Sequence, residues 1–187
     1  MKKILLIDNY DSFTHNLKHY LLLSNASVNV CFPDANQLEE KLAGSDAVVI
    51  SPGPSHPSNA KEVQSIIPKI APDKPVLGVC LGMQIINEVF GGSTARAPFP
   101  VHGKTSEINI LSNSGIFQNL PAQINVARYH SLICNAVADE FTITADFEKI
   151  PMAIQHRSLP IFGIQFHPES FMSEYGREII DNFVRLI

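Results

Sequence analysis

One pentapeptide of this chain has the spacing of a nucleophile held at a sharp turn. Gly78, Cys80 and Gly82 reproduce the Gly-x-Ser-x-Gly elbow with cysteine as the nucleophile, after an apolar segment and before a helical one. A side chain at such a turn needs small neighbours, and the helix N-terminus behind it favours a thiolate. The pattern predicts a reactive thiol at Cys80 and an oxyanion donor at the N–H of Leu81. For the pentapeptide alone, an inert buried cysteine before a helix is the alternative.

The other two thiols of the chain lack such a frame. Cys31 and Cys134 lie far from Cys80 in the sequence, and no Cys-x-x-Cys pair occurs. The cysteines therefore favour neither a disulfide framework nor a structural zinc site, and Cys31 and Cys134 are interpreted as small apolar side chains. Because no set of His, Cys, Asp and Glu has metal-ligand spacing, we expect no metal site.

A thiol nucleophile needs a base, and the base needs a group that orients it. An apolar segment ends at His167, and Glu169 follows two positions later. In extended backbone these two side chains project to the same side, so Glu169 can hold one imidazole nitrogen while the other faces Cys80. The pair predicts a Cys-His-Glu catalytic site, with an exposed His-Pro turn as the alternative.

Two further features could bind a substrate near the sulfur. The segment 51–55 reads Ser-Pro-Gly-Pro-Ser and follows an apolar strand, and ligands of open α/β sheets bind beyond such strand ends. Its rigid turn could hold the N–H of Gly53 as a second oxyanion donor. Gln84 lies one helical turn after Cys80 and could bind an amide or a carboxylate. An ordinary turn and an ordinary helical glutamine are the alternatives.

Short apolar runs alternate with amphipathic segments and must position these residues. Such runs are typical of strands buried on both faces of a parallel sheet. The expected strands are 3–7, 28–32, 47–50, 75–79, 94–111, 124–129, 141–145, 152–154 and 161–166, and the expected helices are one capped by Ser12, then 37–42, 61–70, 81–90 and 174–186. The predicted fold class is α/β: a single domain, residues 1–187, whose mostly parallel central sheet is flanked by helices and extended by antiparallel strands.

Length and composition indicate a single-domain protein and favour neither nucleic-acid binding nor membrane insertion. The 187 residues are 45% hydrophobic and 17% charged, enough for one sizeable core. A net charge of −4 gives no reason to expect nucleic acid or an anionic membrane as a partner. The apolar run after Lys3 ends at Ile7, whereas a signal sequence needs roughly 7–15 apolar residues and a membrane span about 20. We therefore expect a cytoplasmic protein.

Six segments in order resemble one known family. The chain resembles the class I glutamine amidotransferases of the Cys-His-Glu type and, more narrowly, the small subunit (component II) of anthranilate synthase and aminodeoxychorismate synthase. The opening Asp-Asn-Tyr-Asp-Ser-Phe-Thr and the His-Gly-Lys segment favour this chorismate-using branch. The matching segments are 8–14, 51–54, 78–84, 102–106, 128–132 and 163–170.

The resemblance implies a role for each matching residue. The implied triad is Cys80, His167 and Glu169. The implied oxyanion donors and glutamine-binding residues are Gly53, Pro54, Ser55, Leu81, Gln84, Ser131 and Leu132. The implied substrate is L-glutamine, and the implied partner is a chorismate-using synthase subunit, toward which 11–14 and 102–106 would lie. No cofactor is implied in this chain, and Mg²⁺ is expected only in the partner.

Two positions depart from the family pattern, and several alternatives stay open. Met83 stands where the family often has His, and Ser55 stands where a second glycine is often found. The alternatives are an amidotransferase half for another acceptor, a stand-alone Cys hydrolase with an elbow, and a non-catalytic α/β binding module. The sequence does not decide between anthranilate and aminodeoxychorismate as the product, since the partner's active site sets that choice.

Overall fold

A computed structural model describes residues 1–34, 38–70 and 72–187. The strands are β1 (Lys2–Ile7), β2 (Ala26–Cys31), β3 (Ala47–Ile50), β4 (Val76–Val79), β5 (Ser93–Arg96), β6 (Lys104–Ile110), β7 (Gln123–Arg128), β8 (Leu132–Ala136), β9 (Phe141–Phe147), β10 (Ile150–His156) and β11 (Ile161–Ile164). The α-helices are α1 (Thr14–Leu23), α2 (Leu38–Ala43), α3 (Lys61–Ile66), α4 (Leu81–Val89) and α5 (Gly176–Arg185). Short 3₁₀ turns span Pro57–Asn59, Ile67–Lys69 and Gly115–Phe117.

The central sheet joins a parallel half to an antiparallel half. Its strand order is β2-β1-β3-β4-β11-β10-β9-β6-β7, and β5 pairs with β8 in a separate ribbon. All pairs from β2 to β11 are parallel, whereas β10, β9, β6 and β7 add antiparallel pairs. Strands β3, β4 and β11 are buried at every position, as parallel strands covered on both faces must be. The predicted α/β fold is confirmed.

Helices cover both faces of the parallel half. The side chains of β1 alternate between the faces, because successive residues of a strand project to opposite sides. Ile4 and Leu6 join the apolar cluster beneath α1 and α5, whereas Leu5 and Ile7 join the cluster beneath α2, α3 and α4. This double cover leaves the two ends of the strands as the places where a ligand could approach the sheet.

The first helix begins differently from the prediction. Ser12 does not cap it; α1 follows Phe13, which makes no side-chain capping bond. Carboxylates at the end of β1 organise the turn instead. Asp8 Oδ1 accepts from the N–H of Asp11 and the hydroxyl of Thr14, and Asp11 Oδ2 accepts from the N–H of Phe13 at 2.7 Å. The turn is thereby folded over the carboxyl end of the strand.

The predicted strand 94–111 is wrong, since it is two strands in different sheets. Strand β5 joins the ribbon and β6 joins the central sheet. The connection carries Pro98 and Pro100, which have no N–H to offer a ladder, and Gly103, whose φ is +66°. Strand β8 was not predicted, because only its middle residues are buried and no apolar alternation marks it.

Helix bounds otherwise follow the sequence closely. Helix α3 ends at Ile66 and continues as a 3₁₀ turn, because Pro68 cannot donate the next helical hydrogen bond. Gly91, with φ +92°, ends the fourth helix as expected. Gln37, the first residue of the helix expected at 37–42, lies outside the described residues, and α2 spans Leu38–Ala43.

The glycines of the elbow are required by close backbone contacts. A Cβ on Gly78 would lie 2.5 Å from the carbonyl carbon of Gly82, and a Cβ on Gly82 would lie 2.4 Å from the carbonyl oxygen of Ile50. Contacts this short are with backbone atoms, which cannot swing aside. The start of α4 therefore packs closely against β3 and β4. A side chain at position 78 or 82 would prevent this contact.

We expect Gly82→Ala to destabilise the protein by about 1–3 kcal/mol because of this overlap. The higher helix propensity of alanine, worth about 1 kcal/mol, only partly offsets that cost. Gly44→Ala is the matched control, since a Cβ there would meet nothing closer than 3.5 Å. Urea unfolding followed by circular dichroism compares the two variants with the wild type. Equal transition midpoints for Gly82→Ala and the wild type would contradict the tight approach.

Candidate active site

The register of two neighbouring strands brings the sequence-predicted residues together. Strands β4 and β11 are parallel, and Val79 pairs with Ile164 at their carboxyl ends. Cys80 directly follows β4, and His167 and Glu169 follow β11 by a few residues. Parallel neighbours end at the same edge of a sheet, so the thiol and its expected partners meet there although more than eighty positions separate them.

Cys80 adopts the strained backbone expected of an elbow. Its φ is +52° and its ψ is −102°, a combination that a residue with a side chain rarely adopts. The N–H of Cys80 donates to the carbonyl of Ile164 at 2.7 Å, and α4 begins at the next residue. Strain of this kind costs roughly 1–3 kcal/mol and persists where the surroundings enforce it, commonly at functional sites. The residue is 8% exposed.

His167 and Glu169 form a buried pair. Imidazole Nδ1 lies 2.7 Å from Glu169 Oε1, and the two side chains are 3% and 0% exposed. Burial alone would lower the pKa of His167, but interactions with Cys80 and Glu169 outweigh it and raise that pKa to about 10. Among the described residues Nε2 has no partner in hydrogen-bond geometry. The attraction between His167 and Cys80 is therefore electrostatic in this conformation, with imidazolium as the favoured state.

Aromatic rings hold the imidazole in place. Tyr129 lies edge-on to His167 with centroids 5.1 Å apart, and Phe13 does the same at 5.4 Å. Tyr129 also packs against Phe13 and His102. The segments 11–14 and 102–106, expected to face a partner, thus contribute a wall of the site itself.

A cavity of about 220 Å³ opens beside the sulfur. Its lining includes the thiol and all seven residues implied as oxyanion donors or glutamine-binding residues: Gly53, Pro54, Ser55, Cys80, Leu81, Gln84, Ser131 and Leu132. His167 and Glu169 do not line it. The remaining lining residues were not among the predicted site residues, although three of them lie in segments that carried the resemblance: Pro100, Val101, His102, Tyr129 and His130.

Two residues that line the cavity with Cys80 supply candidate backbone donors. A Cβ on Gly53 would lie 2.6 Å from the Cβ of Asn9 and 2.7 Å from Cδ2 of Leu81, so only glycine lets the loop after β3 approach the start of α4. Leu81 is the first residue of that helix and has no intrahelical acceptor for its N–H. Within the described parts of the chain, neither the N–H of Gly53 nor that of Leu81 donates to another backbone group.

Both departures from the family pattern have structural consequences. Ser55 has φ +73°, in the left-handed region that favours glycine, and it keeps this conformation as a lining residue of the cavity. Met83 is fully buried, and a Cβ on Gly163 would lie 2.8 Å from its Cγ. Because Gly163 has no side chain, Met83 can pack against it. Met83 does not line the cavity.

Gln84 is oriented by protein acceptors. Its Nε2 donates to the carbonyl of Leu132 at 3.1 Å and to Oε1 of Gln165 at 3.0 Å. Its own Oε1 accepts no hydrogen bond from the described residues. The side chain can therefore offer a substrate an acceptor, which suits an amide or ammonium group and does not suit the carboxylate that the sequence left open.

The same carbonyl of Leu132 is held by a neutral histidine. Nε2 of His130 accepts from the guanidinium of Arg128 at 3.0 Å, so Nδ1 of His130 carries the proton and donates to Leu132 at 3.0 Å. Burial, together with the charge of Arg128, lowers the pKa of His130 to about 4. Arg128 in turn donates to the hydroxyl of Ser106 at 3.1 Å.

The other two thiols lie outside this site. Cys31 and Cys134 are free and buried, and burial raises the pKa of Cys134 to about 12. No cluster of three or more potential metal ligands occurs within 1–34, 38–70 and 72–187. None of the helices in those ranges is long and apolar enough to cross a membrane.

We expect His167 to be positively charged and His130 to be neutral near neutral pH. At pH 7.5 nitrogen-detected NMR should show His167 protonated on both ring nitrogens and His130 protonated only on Nδ1. A raised pKa means that His167 loses its proton only as the pH rises toward about 10, whereas His130 gains one only near pH 4. Glu169→Gln should shift the His167 titration to lower pH, and an unchanged titration would contradict the pairing.

Comparisons with known proteins identify the family and the fold of this chain. The sequence profile of the family "Glutamine amidotransferase class-I" matches residues 5–187. A Cyanophora paradoxa protein named anthranilate synthase component 2 is 45% identical, covering 98% of this chain and 99% of its own length. A Serratia marcescens protein named aminodeoxychorismate synthase component 2 is 44% identical, covering 97% and 98%. The solved structure of a putative GMP synthase subunit from Thermoplasma acidophilum superimposes with a TM-score of 0.91 at 29% identity, covering 100% and 94%.

Proposed function

Because this chain belongs to the class I glutamine amidotransferase family, we propose that it is the glutaminase subunit of a two-subunit amidotransferase. In this proposal it hydrolyses L-glutamine through a thioester on Cys80 and delivers ammonia to a chorismate-using synthase subunit. One observation carries the proposal: a thiol on a strained elbow lies between the buried His167–Glu169 pair and a cavity with free backbone donors.

The first half-reaction forms the thioester. The Cys80 thiolate attacks the side-chain carbonyl carbon of glutamine, and the carbonyl oxygen takes up the negative charge. The carbon–nitrogen bond then breaks as His167 gives its Nε2 proton to the departing nitrogen, which leaves as ammonia. The raised pKa of His167 supports this role, because the imidazole holds a proton in the resting state.

The second half-reaction releases glutamate. Neutral His167 takes a proton from a water molecule, which attacks the thioester carbon. Collapse of the second tetrahedral intermediate breaks the carbon–sulfur bond and restores the thiolate beside the imidazolium. Throughout, Glu169 keeps Nδ1 protonated, orients the ring and stabilises its positive charge.

Backbone donors stabilise both tetrahedral intermediates. The N–H groups of Gly53 and Leu81 would bind the oxyanion, and loss of one such donor costs about 10²–10³ in rate in comparable sites. The acceptor Oε1 of Gln84 and the backbone of Ser131 and Leu132 would hold the glutamine, with Pro54 and Ser55 along the edge of the cavity. No cofactor takes part in these steps, and Mg²⁺ is assigned to the partner.

The identity of the acceptor is proposed from the relatives. The proteins named as component 2 of anthranilate or aminodeoxychorismate synthase are 37–45% identical to this chain, whereas the putative GMP synthase subunit is 29% identical. The difference supports a chorismate-using synthase over a purine-synthesising partner. Both component 2 names occur at nearly the same identity, and we attribute this to the amination position being chosen in the synthase. A thiolate nucleophile and free cysteines suit the reducing cytoplasm, where we place the reaction.

Replacing the nucleophile should separate the two activities of the complex. We expect Cys80→Ala to abolish glutamine-dependent synthesis by the reconstituted complex while ammonia-dependent synthesis continues, because the synthase subunit holds the second reaction. Chromatography of the products formed from chorismate measures both rates. Cys31→Ala is the control, since Cys31 is buried outside the cavity. Loss of both activities in Cys80→Ala alone would contradict the proposal.

Labelling distinguishes the proposed function from a stand-alone hydrolase. A diazoketone analogue of glutamine should modify Cys80 stoichiometrically, as shown by peptide mass spectrometry, and should spare Cys31 and Cys134. Co-purification with each chorismate-using synthase of the same organism then identifies the product as anthranilate, aminodeoxychorismate or both. Failure of the analogue to label Cys80, together with no glutamine-dependent product, would favour a different acyl substrate.

A further inference from the structure

We infer that Gln165 is a further residue of the catalytic machinery, whose side-chain amide donates a hydrogen bond to the Cys80 sulfur and fixes the thiolate for attack. The role of this hydrogen bond in catalysis rests on the proposed function. Gln165 Nε2 lies 3.5 Å from Cys80 Sγ, and the glutamine is fully buried. Within the described ranges no other side chain is in hydrogen-bond geometry with the sulfur.

The contact follows from strand register. Val79 and Ile164 are paired at the ends of β4 and β11, so Cys80 and Gln165 are the next residues of two neighbouring parallel strands. The backbone bond from the N–H of Cys80 to the carbonyl of Ile164 fixes their separation. The N–H of Gln165 is itself bound to the carbonyl of Met152 in β10 at 2.8 Å. Gln165 is therefore held by its own bond to β10 and by the bond between the preceding residue, Ile164, and Cys80, so it cannot move away from the sulfur without disturbing the sheet.

The orientation of the Gln165 amide is forced by a chain of hydrogen bonds. A backbone carbonyl can only accept, so the atom of Gln84 that faces Leu132 must be its NH₂ group. The same NH₂ group faces Gln165, so the atom it meets there must be Oε1. The remaining NH₂ group of Gln165 then points at Cys80. The sulfur thus faces a donor and never an acceptor, which stabilises the thiolate over the thiol.

A fully buried glutamine in this position is otherwise difficult to explain. A buried amide costs several kcal/mol unless both ends are bonded, and a methionine would fill the same space without that requirement. Gln165 uses one end to anchor Gln84, whose acceptor lines the cavity, and the other end to anchor the nucleophile. Gln165 therefore fixes the sulfur relative to Gln84. Because Gln84 would hold the substrate, this also fixes the distance between the sulfur and the substrate carbon that it attacks.

The test measures the reactivity of Cys80 without any substrate. Alkylation by iodoacetamide is followed by peptide mass spectrometry from pH 5 to 10 in the full chain, comparing wild type, Gln165→Met and Gln165→Asn. Loss of a hydrogen bond to a charged group should shift the midpoint of the Cys80 profile upward by about 1 pH unit, or about tenfold less thiolate at a given low pH. Gln155→Met, on β10 outside the cavity, is the matched control and should leave the profile unchanged.

Activity in the complex with the synthase supplies the second readout. Both Gln165 variants should lower kcat for glutamine about tenfold or more, while ammonia-dependent synthesis by the partner stays at the wild-type rate. A wild-type circular dichroism spectrum and co-purification with the synthase show that each variant is folded. Gln165→Asn keeps an amide that is too short to reach the sulfur, so it tests the bond even if methionine disturbs the packing. A wild-type alkylation profile in either folded variant would overturn the inference.

The two proposals fail in different ways. If wild-type Cys80 reacts with the diazoketone analogue and the Gln165 variants alkylate like the wild type, only the inference about Gln165 is wrong. If wild-type Cys80 does not react with the analogue and the complex forms no glutamine-dependent product, the proposed function is wrong, whatever the alkylation profiles of the variants show.

Discussion

The parallel pairing of β4 with β11 is the constraint on which the site depends. Val76 to Val79 and Ile161 to Ile164 run side by side, and the N–H of Cys80 extends that ladder by one more bond to Ile164. A shift of this register by one residue would turn each side chain to the opposite face of the sheet. Cys80 would then no longer face Gln165 or His167. The burial of both strands on two apolar clusters makes such a shift costly.

Close backbone packing converts this pairing into a usable geometry. The start of α4 lies against β3 and the loop that follows it, with Gly53, Gly78 and Gly82 at the points of closest approach. Within this packing Cys80 has a positive φ, and Gly53 lies against the side chain of Leu81. Strain at the nucleophile is thus maintained by packing that extends through the core, and a side chain added at any of these glycines would disturb it.

The hydrogen bonds of the site are oriented by groups that can only donate or only accept. The carbonyl of Leu132 accepts from both His130 and Gln84, and this fixes the tautomer of one and the amide orientation of the other. The two buried histidines differ in charge, since burial and the Arg128 guanidinium lower the pKa of His130 while the Glu169 carboxylate helps to raise that of His167. Identical side chains thereby acquire opposite protonation states within one sheet edge.

Local spacing in the sequence was sufficient for the elbow at Cys80, for the pairing of His167 with Glu169 and for the α/β class, because each depends on residues within a few positions or on strand and helix periodicity. The resemblance to the family added the cavity residues 131–132. The division of 94–111 into two strands, the existence of β8 and the contact of Gln165 with the sulfur were decided only by the tertiary structure. Cys80 and Gln165 are 85 positions apart, and their meeting depends on which strands become neighbours and in what register. That outcome is set by the burial of the whole sheet, and no local pattern encodes it.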